Sequence, residues 1–418
     1  MTVLPISNVT SRVPHNRAAS RLGSLDAKLA ALTVFLSPMN YFRLDVVYLT
    51  LADAAACATL LVMLLKGNLP RAPFGMLTPL WLCGALAIVT GLTIGSIAQG
   101  DMQSLVVIVL QYVFSLVVIV FVLAGRTYRE TVMLLKVFVL SIAVVMAYGA
   151  YVVHFVPDPD WRLVSASGRM RSLVERENAA ATLGAIAMVL LLNLALMREI
   201  SRWKVALLMP VLLYGILLTG SNTGLLLTTF GITVTALFSG SPRFLLGYVV
   251  LVAAAAATVI FAGDTILPDV FRERVLGALT TGDLSQAGTF EDRYYLIGEA
   301  VGIARDTLLI GLGADQYREI SSHGVPVHNS YLLLLTEGGL LSFSGLILLL
   351  MTGITLAWAS IALARAPTHG VIALTITLIY AVMLNTYAHF YARFWIVPLT
   401  LALALAASRL NMKPMSRP

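Results

Sequence analysis

Residues 103–124 read QSLVVIVLQYVFSLVVIVFVLA, an apolar run that contains no charged side chain. A helix of about 20 apolar residues is long enough to cross the hydrocarbon core of a bilayer. The whole chain of 418 residues has the same character, with 59% hydrophobic and only 12% charged residues. Soluble domains carry about 25% charged residues. The composition therefore excludes an ordinary soluble fold and indicates a membrane protein.

Similar apolar runs recur along the chain, and we predict an all-α, polytopic membrane helical bundle of about 12 transmembrane helices. The predicted spans are 27–43, 45–65, 75–98, 103–124, 131–155, 178–197, 203–220, 223–240, 244–263, 336–363, 370–389 and 393–408. The predicted regions are a tail at 1–26, spans one to nine at 27–263 with a short loop at 156–177, a large helical loop at 264–335, spans ten to twelve at 336–408, and a tail at 409–418.

Basic residues in short loops set the orientation of a multi-pass protein. Seventeen of the 28 lysines and arginines, including every lysine, fall in the tails and on one side of the spans, so we expect both termini in the cytoplasm. The other eleven are all arginine: Arg43, Arg162, Arg169, Arg171, Arg176, Arg272, Arg274, Arg293, Arg305, Arg318 and Arg393. Arginine can grip a phosphate through two parallel hydrogen bonds. The general excess of arginine in this chain explains their identity equally well.

The two long outer loops are the candidate functional regions, because binding and catalytic residues are often carried by loops on a rigid scaffold. The larger loop is not basic in bulk, since it has five arginines against ten acids between Asp264 and Val327. An anion site in this loop would therefore depend on the local placement of a few arginines.

The shorter loop brings Arg169, Arg171 and Arg176 in front of the apolar helix predicted to begin near Asn178. A helix N-terminus presents unpaired N–H groups and a partial positive charge, which attract anions. Arginines beside such a helix indicate an anion pocket at the membrane surface. The alternatives are ion pairs with the two glutamates of the same segment, or contacts with lipid headgroups.

Arg293 lies on a second predicted helix, in the large loop. Thr289 and Asp292 fit a capping box at the start of this helix. Arg293 shares a face of the helix with small apolar residues, which suggests that it points inward. The alternative is an ion pair with Glu291 or Glu299.

The most specific motif is the run His328-Asn329-Ser330-Tyr331, which closes the large loop. A histidine can accept or donate a proton near neutral pH. In a helix, Tyr331 would share the face of His328, and Glu337 would lie on roughly the opposite face. The glycines that follow Glu337 are expected to break the helix before the next span.

These segments resemble motifs of the superfamily of bacterial O-antigen ligases and surface-polysaccharide repeat-unit polymerases, and the twelve-span layout is similar over nearly the whole chain. The resemblance rests on three places: the run from His328 through Glu337 to Gly339, the Arg293 helix with its turn at 309–313, and the segment from Arg169 to Asn178.

The resemblance implies a glycosyltransferase of the bacterial inner membrane, metal-independent, without a cofactor, and with its site facing the periplasm. Its donor would be a glycan on undecaprenyl diphosphate, used in O-antigen, capsule or exopolysaccharide assembly. The acceptor would be a lipid A core sugar for a ligase, or a lipid-linked repeat for a polymerase. Membrane lipids are expected partners and nucleic acid is not.

The resemblance also implies roles for single residues. Arg169 and Arg293 would bind the diphosphate, and His328 would be the general base of a reaction that inverts the anomeric carbon. Possible supporting residues are Arg171, Arg176, Asn178, Asn329, Tyr331 and Glu337.

Two other classes of function stay open. A flippase or transporter of lipid-linked oligosaccharides would share the hydrophobicity and the substrate, but it would line a mid-membrane cavity with polar residues. The intramembrane ionisable residues are few, namely Asp53, Lys136 and Glu337. A non-catalytic scaffold or receptor is the second alternative, although neither tail shows a signalling domain.

Overall fold

The computed structural model describes residues 24–44, 49–277, 290–363 and 367–410. Thirteen helices of twelve residues or more build these ranges: α1 (Leu25–Leu36), α2 (Leu51–Leu65), α3 (Thr78–Ala98), α4 (Met102–Leu123), α5 (Tyr128–Phe155), α6 (Glu177–Leu196), α7 (Arg202–Leu218), α8 (Asn222–Phe238), α9 (Pro242–Ile266), α10 (Phe290–Asp306), α11 (Ser330–Ala362), α12 (Pro367–Met383) and α13 (Arg393–Leu410). A small antiparallel pair, β1 (Arg43–Leu44) and β2 (Leu49–Thr50), joins α1 to α2.

Each predicted span overlaps one of these helices, and the all-α membrane bundle is confirmed. Three boundaries differ clearly from the prediction. The first span ends at Leu36 instead of 43 and the second begins at Leu51 instead of 45, because β1 and β2 lie between them, and the eleventh ends at Met383 instead of 389. Seven helices in the described ranges are long and apolar enough to cross a membrane, namely α3, α4, α5, α6, α9, α11 and α13. Three more, α2, α8 and α12, are apolar but shorter. Of the other three helices, α1 and α7 overlap predicted spans one and seven but are not among these ten, and α10 lies in the large loop, as expected for a helical loop.

Small residues let α3 and α11 pack closely against each other. A side-chain carbon added at Gly84 of α3 would lie 2.8 Å from the backbone oxygen of Gly345 in α11. Further along α3, a carbon at Gly95 would lie 2.7 Å from the oxygen of Gly311 in the large loop. Without a hydrophobic driving force between helices in lipid, such close approach is a main source of helix association. The α3–α11 pair thus forms a rigid support for the end of the large loop.

A kink divides α11 at Gly339, where φ is 64° and ψ is −167°. The large loop fills the kink, because Leu340 N–H donates to Leu308 O at 2.8 Å and Gly313 N–H donates to Glu337 O at 2.8 Å. The predicted break at the glycine pair is therefore present. The helix before this break opens at the histidine motif, as expected, because the Asn329 side chain accepts a hydrogen bond from Leu332 N–H and caps it.

A buried ion pair joins α2 to α13. Arg393 Nε donates to Asp53 Oδ1 at 2.6 Å, and Asp53 has no exposed surface. The same arginine also donates to Gln111 of α4, and Asp53 accepts a hydrogen bond from Thr50 N–H at the start of α2. Three helices are thus fixed together at one charged group.

Candidate functional site

The segment between α5 and α6 is folded back on itself as a rigid loop. Val164 and Met170 form an antiparallel bridge around the turn, and Met170 N–H donates to Leu218 O at 3.0 Å. Ser172 and Glu175 both adopt positive φ, at 51° and 67°. Such conformations are uncommon for residues other than glycine and persist where the surrounding contacts impose them. The loop therefore presents Arg169 in a fixed position.

Arg169 is buried to 9% exposure and is held on two sides. Its Nε donates to the backbone oxygen of Thr219 at 2.7 Å, and one terminal nitrogen donates to Asn178 Oδ1 at 3.0 Å. Ser221 Oγ donates to the same Asn178 oxygen at 2.9 Å. The turn at Ser221, which joins α7 to α8, is thus part of the arginine's support.

The two glutamates of this loop are occupied by other arginines. Glu175 accepts from both Arg43 and Arg162, and Glu177 pairs with Arg171 at 3.0 Å. The alternative of pairing with Glu175 or Glu177 is therefore correct for Arg171 and wrong for Arg169. Arg176 is exposed, and it makes neither an ion pair nor a side-chain hydrogen bond with the part of the chain that the structure describes. Arg169 and Arg176 therefore have no acidic partner among the described residues, and their charge remains available to an anion.

Arg293 lies in the first turn of α10 and is half-buried. Its helix packs through Leu296 and Ala300, which are 4% and 0% exposed. Glu299 accepts hydrogen bonds from the residues around Tyr317 instead of pairing with Arg293. The predicted capping residue Thr289 lies outside the described residues, as do the side chains of Glu291 and Asp292.

His328 stands just before the cap of α11, and its Nδ1 is buried without a hydrogen-bond partner among the described residues. Burial lowers the pKa of His328, and the positive charges of Arg293 and Arg176 lower it further. The imidazole is therefore neutral at pH 7 and able to accept a proton.

The structure brings Arg169, Arg293 and His328 together from three separate segments. The charge of Arg293 acts on both Arg169 and His328. Burial and the neighbouring guanidinium of Arg274 lower the pKa of Arg169 to about 10, so this arginine stays protonated at neutral pH. The cluster combines a fixed cation, a second half-buried cation and a neutral imidazole.

The predicted supporting residues divide into two groups. Asn178 and Asn329 lie at the cluster, where the first holds Arg169 and the second caps α11. Tyr331 turns away and donates through its hydroxyl to Ala381 O at 2.9 Å. Glu337 accepts a hydrogen bond from Tyr317 N–H at 3.3 Å and supports the glycine turn of the large loop.

Sequence reasoning missed Tyr387, which lies between α12 and α13. Its hydroxyl is 3.0 Å from Thr182 Oγ1 of α6, and its backbone oxygen accepts from Ser330 Oγ at 2.7 Å. The charges of Arg293, Arg176 and Arg169 all act on its ring hydroxyl, although burial has the larger effect and raises the pKa of Tyr387. No motif marks this short segment, so only the fold reveals it.

Comparison with known proteins supports the sequence resemblance. A sequence model of the family described as O-antigen ligase matches residues 206–350, which run from α7 into α11 and include Arg293 and His328. No curated protein matches the chain. Arg169 and Tyr387 lie outside the matched segment, and they meet it in the folded structure. The match to the O-antigen ligase family over residues 206–350 thus supports the resemblance to the superfamily of O-antigen ligases and polysaccharide polymerases.

Proposed function

We propose that this chain is an inner-membrane glycosyltransferase that moves a glycan from undecaprenyl diphosphate to an acceptor sugar. The observation that carries the proposal is that Tyr387 ties α6, which follows the loop of Arg169, to Ser330 of the histidine motif, while the charge of Arg293 acts on both Arg169 and His328. In this proposal the site faces the periplasm, and both termini are cytoplasmic. The family match agrees with ligase or polymerase chemistry in general.

The two arginines would hold the diphosphate of the donor. Arg169 is fixed by Thr219 and Asn178, so its remaining N–H groups are oriented before the substrate arrives. Negative charge grows on the leaving diphosphate oxygen as its bond to the anomeric carbon breaks. Cations placed beforehand at that position stabilise the transition state more than the ground state.

His328 would act on the acceptor. The acceptor oxygen forms a bond to the anomeric carbon while the diphosphate leaves with the electron pair, and the acceptor proton passes to the imidazole. General-base catalysis of this kind contributes typically ~10²–10⁴-fold. Attack from the side opposite to the diphosphate gives inversion at the anomeric carbon.

The three intramembrane ionisable residues do not suggest a transport path. Asp53 pairs with Arg393, the Lys136 nitrogen lies 2.9 Å from Glu199, and Glu337 accepts from a backbone N–H. Each is occupied by a structural contact, whereas residues that move a substrate across a membrane must face its path. This arrangement favours the glycosyltransferase over the flippase.

The test uses a deletion strain that is complemented with Arg169→Ala, Arg293→Ala or His328→Ala. We expect each variant to insert in the membrane at a normal level and to yield no polymerised or ligated glycan on a surface-polysaccharide gel. Arg305→Ala, which removes an exposed arginine from the same helix as Arg293, is the matched control and should stay active. Activity that persists in all three site variants would exclude the proposal.

The same gels distinguish the two reactions of the superfamily. Single repeats attached to the core, without long chains, would indicate a polymerase. Bare core with long chains left on the lipid carrier would indicate a ligase. Lipid-linked repeats that accumulate on the inner leaflet in the deletion strain would instead favour a flippase.

A further inference from the structure

The segment 384–392, between α12 and α13, is anchored to the starts of two other helices. Tyr387 reaches Thr182 in the second turn of α6, at 3.0 Å. Ser330, the first residue of α11, donates through its N–H to Leu384 O at 2.8 Å and through its hydroxyl to Tyr387 O at 2.7 Å. The segment therefore lies against the first turns of α6, which follow the loop of Arg169, and against the histidine motif.

These anchors place His389 close to the site. Its ring packs beside that of Tyr391, with 5.2 Å between the ring centroids. The ring nitrogens of His389 make no hydrogen bond to the described residues. Burial lowers the pKa of His389 to about 4, and Arg176 and His328 contribute to the shift. His389 is thus a second neutral imidazole beside His328.

Arg176 stands at the same place, immediately before α6. It is exposed and so can be reached by a water-soluble part of a substrate. Its charge acts on His328, Tyr387 and His389. The two glutamates of its own loop are taken by other arginines, so neither of them neutralises it.

The two sides of the site differ in their charge neighbours. Arg169 interacts most strongly with Arg274, Glu177, Arg171 and Arg293, which marks the side proposed for the diphosphate. The charge of Arg176 acts on both histidines, and Arg293 lies between the two groups, because its charge acts on Arg169 and on His328. Because His328 would take the proton of the acceptor hydroxyl, the acceptor must lie on the side of the histidines.

We propose that Arg176 and His389 form a second anion subsite, which binds a carboxylate or phosphate group on the acceptor glycan. This inference rests on the proposed glycosyltransferase function. Arginine binds either anion through paired hydrogen bonds, and a neutral imidazole adds a further donor. The subsite would make the enzyme selective for acidic acceptors such as uronic acid or phosphorylated repeats.

The experiment compares acceptors with the purified protein in nanodiscs. The acceptor glycan from the deletion strain is used untreated, after carbodiimide–borohydride reduction of its carboxylates, or after phosphatase removal of its terminal phosphate groups, which leaves a diphosphate linkage to lipid intact. We expect Arg176→Gln to raise KM for the untreated acceptor about tenfold or more, with kcat nearly unchanged. A charge-assisted hydrogen bond of about 1.5–3 kcal/mol corresponds to a change of this size.

One of the two treatments should raise the KM of the wild-type protein for the acceptor by a similar factor. The same treatment should raise the KM of Arg176→Gln little further. The treatment that does so identifies the anion as carboxylate or phosphate. His389→Gln should raise KM by a smaller factor, Arg176→Lys should restore part of the affinity, and Arg305→Gln should behave as wild type.

Two results would overturn the subsite. If neither treatment changes KM of the wild-type protein, no acidic group on the acceptor is recognised. If Arg176→Gln weakens binding of undecaprenyl diphosphate as strongly as Arg169→Gln does, Arg176 belongs to the donor side. The wild-type comparison requires no variant to fold, and activity that survives in the Arg169, Arg293 and His328 variants would separately exclude the glycosyltransferase itself.

Discussion

Asn178 should control the proposed reaction without touching the substrate, because its side-chain oxygen fixes Arg169. That oxygen accepts from the guanidinium at 3.0 Å and from Ser221 Oγ at 2.9 Å. Asn178→Ala removes one of the two side-chain contacts that orient Arg169 and leaves only the bond to Thr219 O. The guanidinium would then sample positions away from the diphosphate.

The expected loss follows from the strength of that contact. A hydrogen bond to a charged group contributes about 1.5–3 kcal/mol. If the bond is kept throughout the transition state, its loss lowers the rate by roughly 10- to 150-fold. Asn178→Asp should be worse, because a carboxylate about 4 Å from a guanidinium near a protein surface attracts it by about 4 kcal/mol. Such a carboxylate would compete with the diphosphate for Arg169.

The assay measures product formed per amount of membrane-inserted protein, in nanodiscs with lipid-linked donor from the deletion strain. The predicted order of activity is wild type, Ser221→Ala, Asn178→Ala and then Asn178→Asp. Ser221→Ala comes first among the variants because it leaves both contacts of Arg169 in place. If Asn178→Asp is as active as wild type, or more active than Asn178→Ala, Arg169 does not hold an anionic substrate.

Three further outcomes follow from single contacts. The rate should fall with acid below pH 6.5 as His328 is protonated, and Arg176→Gln should move this limb to higher pH, since removing a nearby positive charge raises the pKa of His328. Asp53→Asn should lower the free energy of unfolding in detergent by about 3–5 kcal/mol, because it leaves Arg393 buried and unpaired. Gly339→Ala should cost about 1–3 kcal/mol, because φ is +64° and the added carbon would lie 2.8 Å from a backbone oxygen.

Matched controls separate these effects from general damage. Glu199→Gln breaks a more exposed ion pair, with Lys136, and should cost at most about 1 kcal/mol. Gly302→Ala adds a carbon that meets nothing within 4 Å and should leave the thermal midpoint unchanged. Equal destabilisation by the test and control variants would contradict the corresponding structural argument, and an acid limb unmoved by Arg176→Gln would contradict the charge argument.

The helices were predictable because hydrocarbon imposes a length and an apolar composition on every span. Even the break at Gly339 could be anticipated, since paired glycines favour a kink. The helix opened by the histidine motif could also be anticipated, but the sequence does not show that Asn329 is its cap. A polar residue at a loop end is compatible with a cap or a simple turn.

The site was only partly predictable, because its members are far apart in the chain. Motif spacing selected Arg169, Arg293 and His328, but the contact that fixes Arg169 comes from a backbone oxygen at Thr219, which no side-chain pattern reveals. Tyr387 was missed for a related reason. Its neighbours belong to α6 and α11, so its position follows from helix packing instead of local sequence.

The charges explain how a loop that is acidic in bulk can belong to a site for anions. Acidic residues across the structure take up Arg43, Arg162, Arg171, Arg318 and Arg393. Three arginines of the proposed site have no acidic partner among the described side chains: Arg169, which is buried, Arg293, which is half-buried, and Arg176, which is exposed. Net charge therefore says little about function here, and the pairing of each acid decides which cations a substrate can meet. Charge reversal at Glu175 should accordingly disturb the site through Arg43 and Arg162, even though Glu175 touches neither Arg169 nor His328.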